Sequence, residues 1–178
     1  MRTRSLVLFL SVALATSASG QGLMADMHGK VSDAEKKFVD LANAIPESAY
    51  AWRPKGARSV GEVLLHVASD NYLIPVMMGK PAPAATKIVA TDMKTVEAFE
   101  KQKLSKAQTV AALKASFAHL HGGMALTTDA NLGEKINFFG MDWNRQKAML
   151  STVTHLYEHL GQMIAYARSN NVVPPWSK

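Results

Sequence analysis

Residues 155–162, HLYEHLGQ, lie in a long segment near the end of the chain whose apolar residues recur every three or four positions. This spacing predicts an amphipathic helix. His155 and His159 are four residues apart, so their side chains leave one face of that helix with Cβ atoms about 6 Å apart and can reach one metal ion. The pair alone is a weak signal, because HxxxH also arises by chance. Leu156 replaces the glutamate of the HExxH zinc proteases.

A row of polar side chains runs beside the apolar seam of this helix. It consists of Thr152, His155, His159, Gln162 and Tyr166. Unpaired polar groups at the edge of a core cost on the order of 1–3 kcal/mol each. A metal ion in a cavity would supply the partners that this row needs.

Three further segments show the same helical period. With the last helix, the predicted long helices cover residues 23–45, 59–78, 105–124 and 142–169. Four amphipathic helices cannot bury their apolar faces singly, so the fold class that we predict is all-α, a four-helix bundle. Metal sites in such bundles are built from inward side chains on facing helices.

The connections differ in length. Residues 79–92 form the longest predicted loop, between the second and third long helices, and a short helical piece near residues 94–103 follows it. The helical pattern breaks again at residues 122–141, where we expect short extended pieces around residues 136–139 but no sheet. Asp142 is the expected N-cap of the last helix.

His66 lies in the middle of the second predicted helix, on the side that should face the core. Ser59 and Glu62 predict a capping box at the start of this helix. Considered alone, His66 is better explained as a buried histidine with a hydrogen-bond partner. Asp70, four residues later, shares its face and could orient the imidazole, as could Glu62. His119 and His121 are two residues apart and point to different sides, so we expect neither to be a ligand.

Two longer segments resemble a known family. Residues 52–72, WRPKGARSVGEVLLHVASDNY, and residues 155–177, HLYEHLGQMIAYARSNNVVPPWS, are similar to the diagnostic regions of the DinB/YfiT-like superfamily of metal-dependent four-helix-bundle proteins. The resemblance extends over nearly the whole chain after its N-terminal segment. It implies that His66, His155 and His159 bind a divalent metal. The chain departs from the family's HxxHHRGQ motif at Glu158 and Leu160.

Three neutral imidazoles would leave a divalent ion its full charge and an open position. A water there can be acidified toward pH 7 and act as a nucleophile. Zinc or nickel suits these ligands better than manganese or iron. Asp70 and Glu158 are the candidate catalytic carboxylates, although a solvated or ligand-orienting role is the simpler interpretation of each.

These features favour a metal-dependent enzyme, with a hydrolase acting on an unknown small molecule as the first hypothesis. One alternative is a non-catalytic module that binds metal or a small ligand or mediates an interaction. Another is a transferase that uses a low-molecular-weight thiol. Export to an oxidising compartment would make such a thiol less available. In the simplest alternative, the three histidines are core residues without metal.

The N-terminal segment predicts export. Residues 1–18 combine Arg2 and Arg4 with an apolar run and small residues, as secretory signal peptides do. We expect cleavage after residue 20, a single domain at residues 21–178 and a secreted or periplasmic location. The apolar run is too short for a normal membrane span, so we expect no stable membrane insertion after cleavage.

Composition excludes several classes of function. The sequence has no cysteine, which rules out disulfides, thiolate ligands and a cysteine nucleophile. Without Arg2 and Arg4, 18 basic residues remain against 14 acidic ones, a net charge of +4. The basic residues are spread along the chain, so nucleic-acid binding is not expected. A homodimer formed through helix faces is compatible with the sequence, but no feature of the sequence establishes it.

Overall fold

The computed structural model describes residues 22–177. The predicted signal peptide therefore lies outside the described residues. Five α-helices and two short strands follow one another along the chain: α1 Leu23–Ala44, α2 Val60–Leu73, α3 Met93–Glu100, α4 Lys106–Met124, β1 Lys135–Phe138, β2 Met141–Asn144 and α5 Arg145–Ser169. The four long helices α1, α2, α4 and α5 pack into a bundle, which confirms the predicted fold class.

The bundle core consists of the apolar stripes predicted from the sequence. On α1 the stripe is fully or nearly fully buried: Met24, Met27, Val31, Ala34, Phe38 and Leu41. The rings of Phe38 and Phe117 meet between α1 and α4, with their centroids 6.0 Å apart. This apolar burial is the main force that holds the helices together.

The start of α2 agrees with the prediction, but its α-helical part ends at Leu73 and not at residue 78. Ser59 accepts a hydrogen bond from the Glu62 amide, and the Glu62 carboxylate accepts one from the Ser59 amide, completing the capping box. After Leu73 the chain tightens into a 3₁₀ turn, Ile74–Met78, because Pro75 has no amide hydrogen with which to continue the α-helix.

The expectation that residues 122–141 form no sheet is wrong. β1 and β2 pair antiparallel with Phe138 opposite Met141, and the two-residue turn between them is Phe139–Gly140. Both turn residues have positive φ, 52° and 82°, as a tight hairpin turn requires. The sequence signal was weak because Phe139 stands where such turns prefer asparagine or aspartate.

The hairpin also moves the start of α5. Asp142, the predicted N-cap, lies in β2 with a carboxylate oxygen 3.1 Å from Nζ of Lys135. Asn144 is the actual cap, and its side chain accepts a hydrogen bond from the Lys147 amide at 2.8 Å. The prediction failed because strand pairing continues to residue 144.

The long connection between α2 and α4 is present as predicted and brings α3 against α2. The rings of Tyr72 and Phe99 lie edge to face with centroids 5.9 Å apart. This contact places Glu100, the last residue of α3, beside the middle of α2. None of the helices within residues 22–177 has the length and apolar character needed to cross a membrane.

Candidate metal centre

The three histidines predicted as ligands lie together between α2 and α5. One ring nitrogen each of His66, His155 and His159 can be chosen so that all three lie within 4.8 Å of one another. The ring centroids are 4.4–5.3 Å apart and the rings stand nearly perpendicular to one another. Because metal–nitrogen bonds are about 2.0–2.1 Å long, small side-chain adjustments would bring the three nitrogens to one ion.

A chain of hydrogen bonds along α5 holds His159. Nδ1 of His159 lies 2.8 Å from Oε1 of Gln162, and because that oxygen only accepts, Nδ1 is the donor. Gln162 then donates to the Tyr166 hydroxyl at 2.9 Å, and that hydroxyl donates to the Arg58 carbonyl oxygen. The predicted polar row thus fixes the ring of His159 and leaves its Nε2 without a proton, available to a metal.

Glu100 of α3 holds His66 in the same way. Its Oε1 lies 2.8 Å from Nδ1 of His66, which must donate the hydrogen bond, and also accepts one from the Ser69 hydroxyl. Arg58 reaches the other carboxylate oxygen at 3.2 Å. Burial opposes ionisation of Glu100, but the hydrogen bond from His66 and the charge of Arg58 keep the pKa of the carboxyl below its usual value. Sequence analysis missed Glu100, because no local pattern links residues 34 positions apart.

Asp70 lies inside the histidine cluster. Its Oδ2 is 2.7 Å from Nε2 of His155 and 3.5 Å from Nε2 of His66. The sequence predicted the contact with His66, whereas the closer contact with His155 comes from another helix. Asp70, His66 and Glu100 form a second group whose ligand atoms lie within 4.8 Å of one another.

The contact between Asp70 and His155 is short but lacks hydrogen-bond geometry. Nε2 of His155 is buried and has no hydrogen-bond partner among residues 22–177. The unsatisfied nitrogen, the three imidazoles and the adjacent carboxylate fit a divalent metal ion.

The environment changes the acidity of two of the histidines in opposite directions. The Asp70 carboxylate raises the pKa of His155 above its ordinary value, against the effect of burial. Burial lowers the pKa of His159, and its contact with Gln162 only partly offsets this. In the metal-free protein, His155 therefore holds a proton more strongly than His159 does, and a metal must displace it.

The remaining candidates lie outside the cluster. Glu158 is exposed on α5, and Leu160, the other departure from the family motif, is buried in the core. His121 pairs with Glu35 at 2.9 Å, and His119 packs against Tyr72 with centroids 5.4 Å apart. Neither of these α4 histidines belongs to the three-histidine cluster.

Comparisons with known proteins agree with the fold. The family model of the DinB superfamily matches residues 31–163, well over half of the chain. Among solved structures, a DinB-like protein from Bacillus cereus ATCC 10987 is similar, with a TM-score of 0.68 and 15% sequence identity. The match covers 87% of this chain and 97% of that one. No curated protein matches the sequence.

Proposed function

The chain belongs to the DinB superfamily, and on this basis we propose that it is a metal-dependent hydrolase, which binds a divalent metal ion through His66, His155 and His159. Zinc or nickel suits a set of three imidazoles. The observation that carries the proposal is the arrangement of the cluster. Imidazoles from two helices meet beside a carboxylate, and one buried nitrogen is left without a hydrogen bond.

The surrounding residues have separate tasks in this proposal. Glu100 and Gln162 accept hydrogen bonds from His66 and His159, so that both rings present Nε2 to the ion. When bound, the ion would act as a Lewis acid and lower the pKa of a water molecule. Asp70 is half-buried beside two of the ligands, where it can accept a proton from a reacting group.

The cluster lies close to the protein surface, although Nε2 of His155 is itself buried, and this position favours a catalytic site over a purely structural one. The side chain of His155 is 30% exposed, and that of Asp70 is 19% exposed. A closed structural site surrounds its ion with protein, whereas a catalytic site keeps a position open to substrate. We further propose that the substrate is a small molecule and that the protein acts in the periplasm or outside the cell, as the N-terminal sequence suggests.

Metal content tests the ligand assignment. We expect purified protein to bind about one equivalent of zinc or nickel, and the double variant H155A/H159A to bind almost none, because two of three ligands are lost. His121→Ala is the matched control, since His121 is a half-buried histidine in another contact. Equal metal content in the double variant and the unchanged protein, measured by mass spectrometry, would exclude the site.

A screen of ester, amide and phosphoester substrates tests the reaction, with the metal-free protein as control. For any substrate found, Asp70→Asn should lower kcat by about 10²–10⁴-fold without unfolding the protein, as loss of a general base does. Glu97→Gln is the matched control, since Glu97 is an exposed carboxylate outside the cluster. A protein that binds metal but turns over none of these classes would contradict the hydrolase and leave the non-catalytic module and the thiol-dependent transferase.

A further inference from the structure

An apolar groove lies at the end of the bundle where α2 finishes. It has a volume of about 530 Å³, and all its lining residues are uncharged. The 3₁₀ turn after α2 contributes Val76 and Met77, the start of α3 contributes Met93, and the hairpin turn contributes Phe139. Met93 and Phe139 are 49% and 41% exposed, so two large apolar side chains face solvent here.

The groove shares no lining residue with the histidine cluster, but the same two elements contribute to both. Met77 follows Asp70 by seven residues, and Met93 precedes Glu100 by seven. Seven residues are close to two helical turns, so each pair lies on one face of its element, about 10–12 Å apart. Glu100 contacts α2 at His66, and Met93 lines the groove with Val76 and Met77. The step from Asp70 to Met77 and the step from Glu100 to Met93 therefore both lead from the cluster toward the groove. Ile74, half-buried, lies on the face between Asp70 and Met77.

Phe139 is held in a conformation that a bulky residue rarely adopts. Its φ is 52°, in the left-handed region that favours asparagine and glycine. The Asn137 side chain supports the turn by accepting a hydrogen bond from the Gly140 amide at 2.7 Å. Asn-Gly would form this turn with less strain, so the turn itself does not require an aromatic residue. Such strain is common where a side chain is held for binding.

We propose that this groove binds the apolar chain of a substrate whose polar head group reaches His66, His155 and His159. The inference rests on the proposed function, since the metal centre supplies the contact for the head group. An extended carbon chain advances about 1.2 Å per bond, so roughly eight to ten bonds span the distance from the cluster to the groove, and a longer chain enters it. The lining has Thr91 and Asn137 as its polar side chains and is otherwise apolar, which favours an acyl or alkyl chain over a charged group.

The test uses two hydroxamates, which chelate zinc through the same head group. Acetohydroxamate has a single methyl group, whereas dodecanohydroxamate carries a chain long enough to enter the groove. Binding of each to the zinc-loaded protein is measured by calorimetry. We expect dodecanohydroxamate to bind at least tenfold more tightly, because buried methylenes each add about a two- to fourfold gain.

Two variants remove the apolar lining without disturbing the bundle. Phe139→Asn places a favoured residue at a positive φ, and Met93→Gln changes an exposed first residue of α3. Both should bind zinc and acetohydroxamate as the unchanged protein does, while the gain from the longer chain falls to less than threefold. Val173→Asn is the control, because Val173 is a 55% exposed apolar residue beyond the opposite end of α5.

The outcomes separate the two proposals. Equal affinity for both hydroxamates, or a gain that survives in both variants, would overturn the apolar groove while leaving the metal centre intact. Failure of the unchanged protein to bind zinc or acetohydroxamate would overturn the proposed function and the groove with it. Loss of the gain in both groove variants, with the gain kept in Val173→Asn, supports the inference.

Discussion

A histidine binds a metal through a ring nitrogen that carries no proton, and neighbouring residues decide which nitrogen that is. Here Glu100 and Gln162 each accept a hydrogen bond from Nδ1, of His66 and His159 respectively, and leave Nε2 for the ion. His155 differs, because its Nε2 lies against Asp70. At the residue scale, two candidate ligands are therefore oriented by hydrogen bonds, and the third, His155, is held beside them by the charge of Asp70.

His119 is a buried histidine that the site does not use, and it allows a prediction about stability. Within residues 22–177 its Nε2 has no hydrogen-bond partner. Leucine is similar in size and has no polar atom to bury, so His119→Leu should raise the free energy of unfolding by about 1 kcal/mol at pH 7.5.

This gain should grow on acidification. Burial lowers the pKa of His119 in the folded protein, so below pH about 6.5 the unfolded chain takes up a proton that the folded protein does not. The unchanged protein loses stability there, and His119→Leu avoids that part of the loss. Urea unfolding with a chelator at pH 7.5 and pH 5.5 measures both values. A difference that shrinks at the lower pH would contradict this account.

At the scale of elements, the 3₁₀ turn Ile74–Met78 decides how α2 leads into the long connection. This turn packs directly on α4, where Gly123 faces Pro75. A Cβ on Gly123 would lie 2.8 Å from Cγ of Pro75 and closer still to its Cβ. The absence of a side chain at residue 123 therefore sets the approach of the two elements.

Gly123→Ala should lower the free energy of unfolding by about 1–3 kcal/mol, because the turn or α4 must shift to remove the clash. Gly29→Ala is the matched control on α1, since nothing lies within 4 Å of the position of its added Cβ. That change should stabilise the protein by about 0.5–1 kcal/mol through helix propensity. Chemical denaturation compares the two, and equal effects would show that the close packing of Gly123 is unimportant.

At the scale of the whole molecule, the candidate metal centre connects parts of the chain that are far apart in sequence. His66 lies on α2 and the other two candidate ligands lie on α5, almost 90 residues later. An ion bound at this point holds the two helices together only in the folded state. Binding should therefore stabilise the whole bundle through linkage.

Zinc at about 100 times its dissociation constant should add about 2.7 kcal/mol to the free energy of unfolding. For a protein of this size, that corresponds to a rise in Tm of about 5–10 °C over the chelator-treated protein. The H155A/H159A variant should show almost no rise, whereas His121→Ala should respond like the unchanged protein. An equal rise in the double variant, measured by calorimetry, would place the stabilising ion elsewhere.

The features that the sequence by itself determined are local or periodic. Helical spacing indicated the four long helices, the capping box from Ser59 to Glu62 indicated the start of α2, and the i, i+4 rule paired His155 with His159. The family resemblance added His66. The hairpin was missed because its turn begins with Phe139 instead of a usual turn residue.

Only the tertiary structure decided which distant groups meet. Packing of α3 on α2 brings Glu100 to His66, packing of α5 on α2 brings His155 to Asp70, and the hairpin carries Phe139 to the groove near Met77. Such contacts depend on how elements cross and how far loops reach, which no local periodicity encodes. The amino-acid sequence thus predicts the helices and the candidate ligands. The packing between helices creates the surroundings in which those ligands would act.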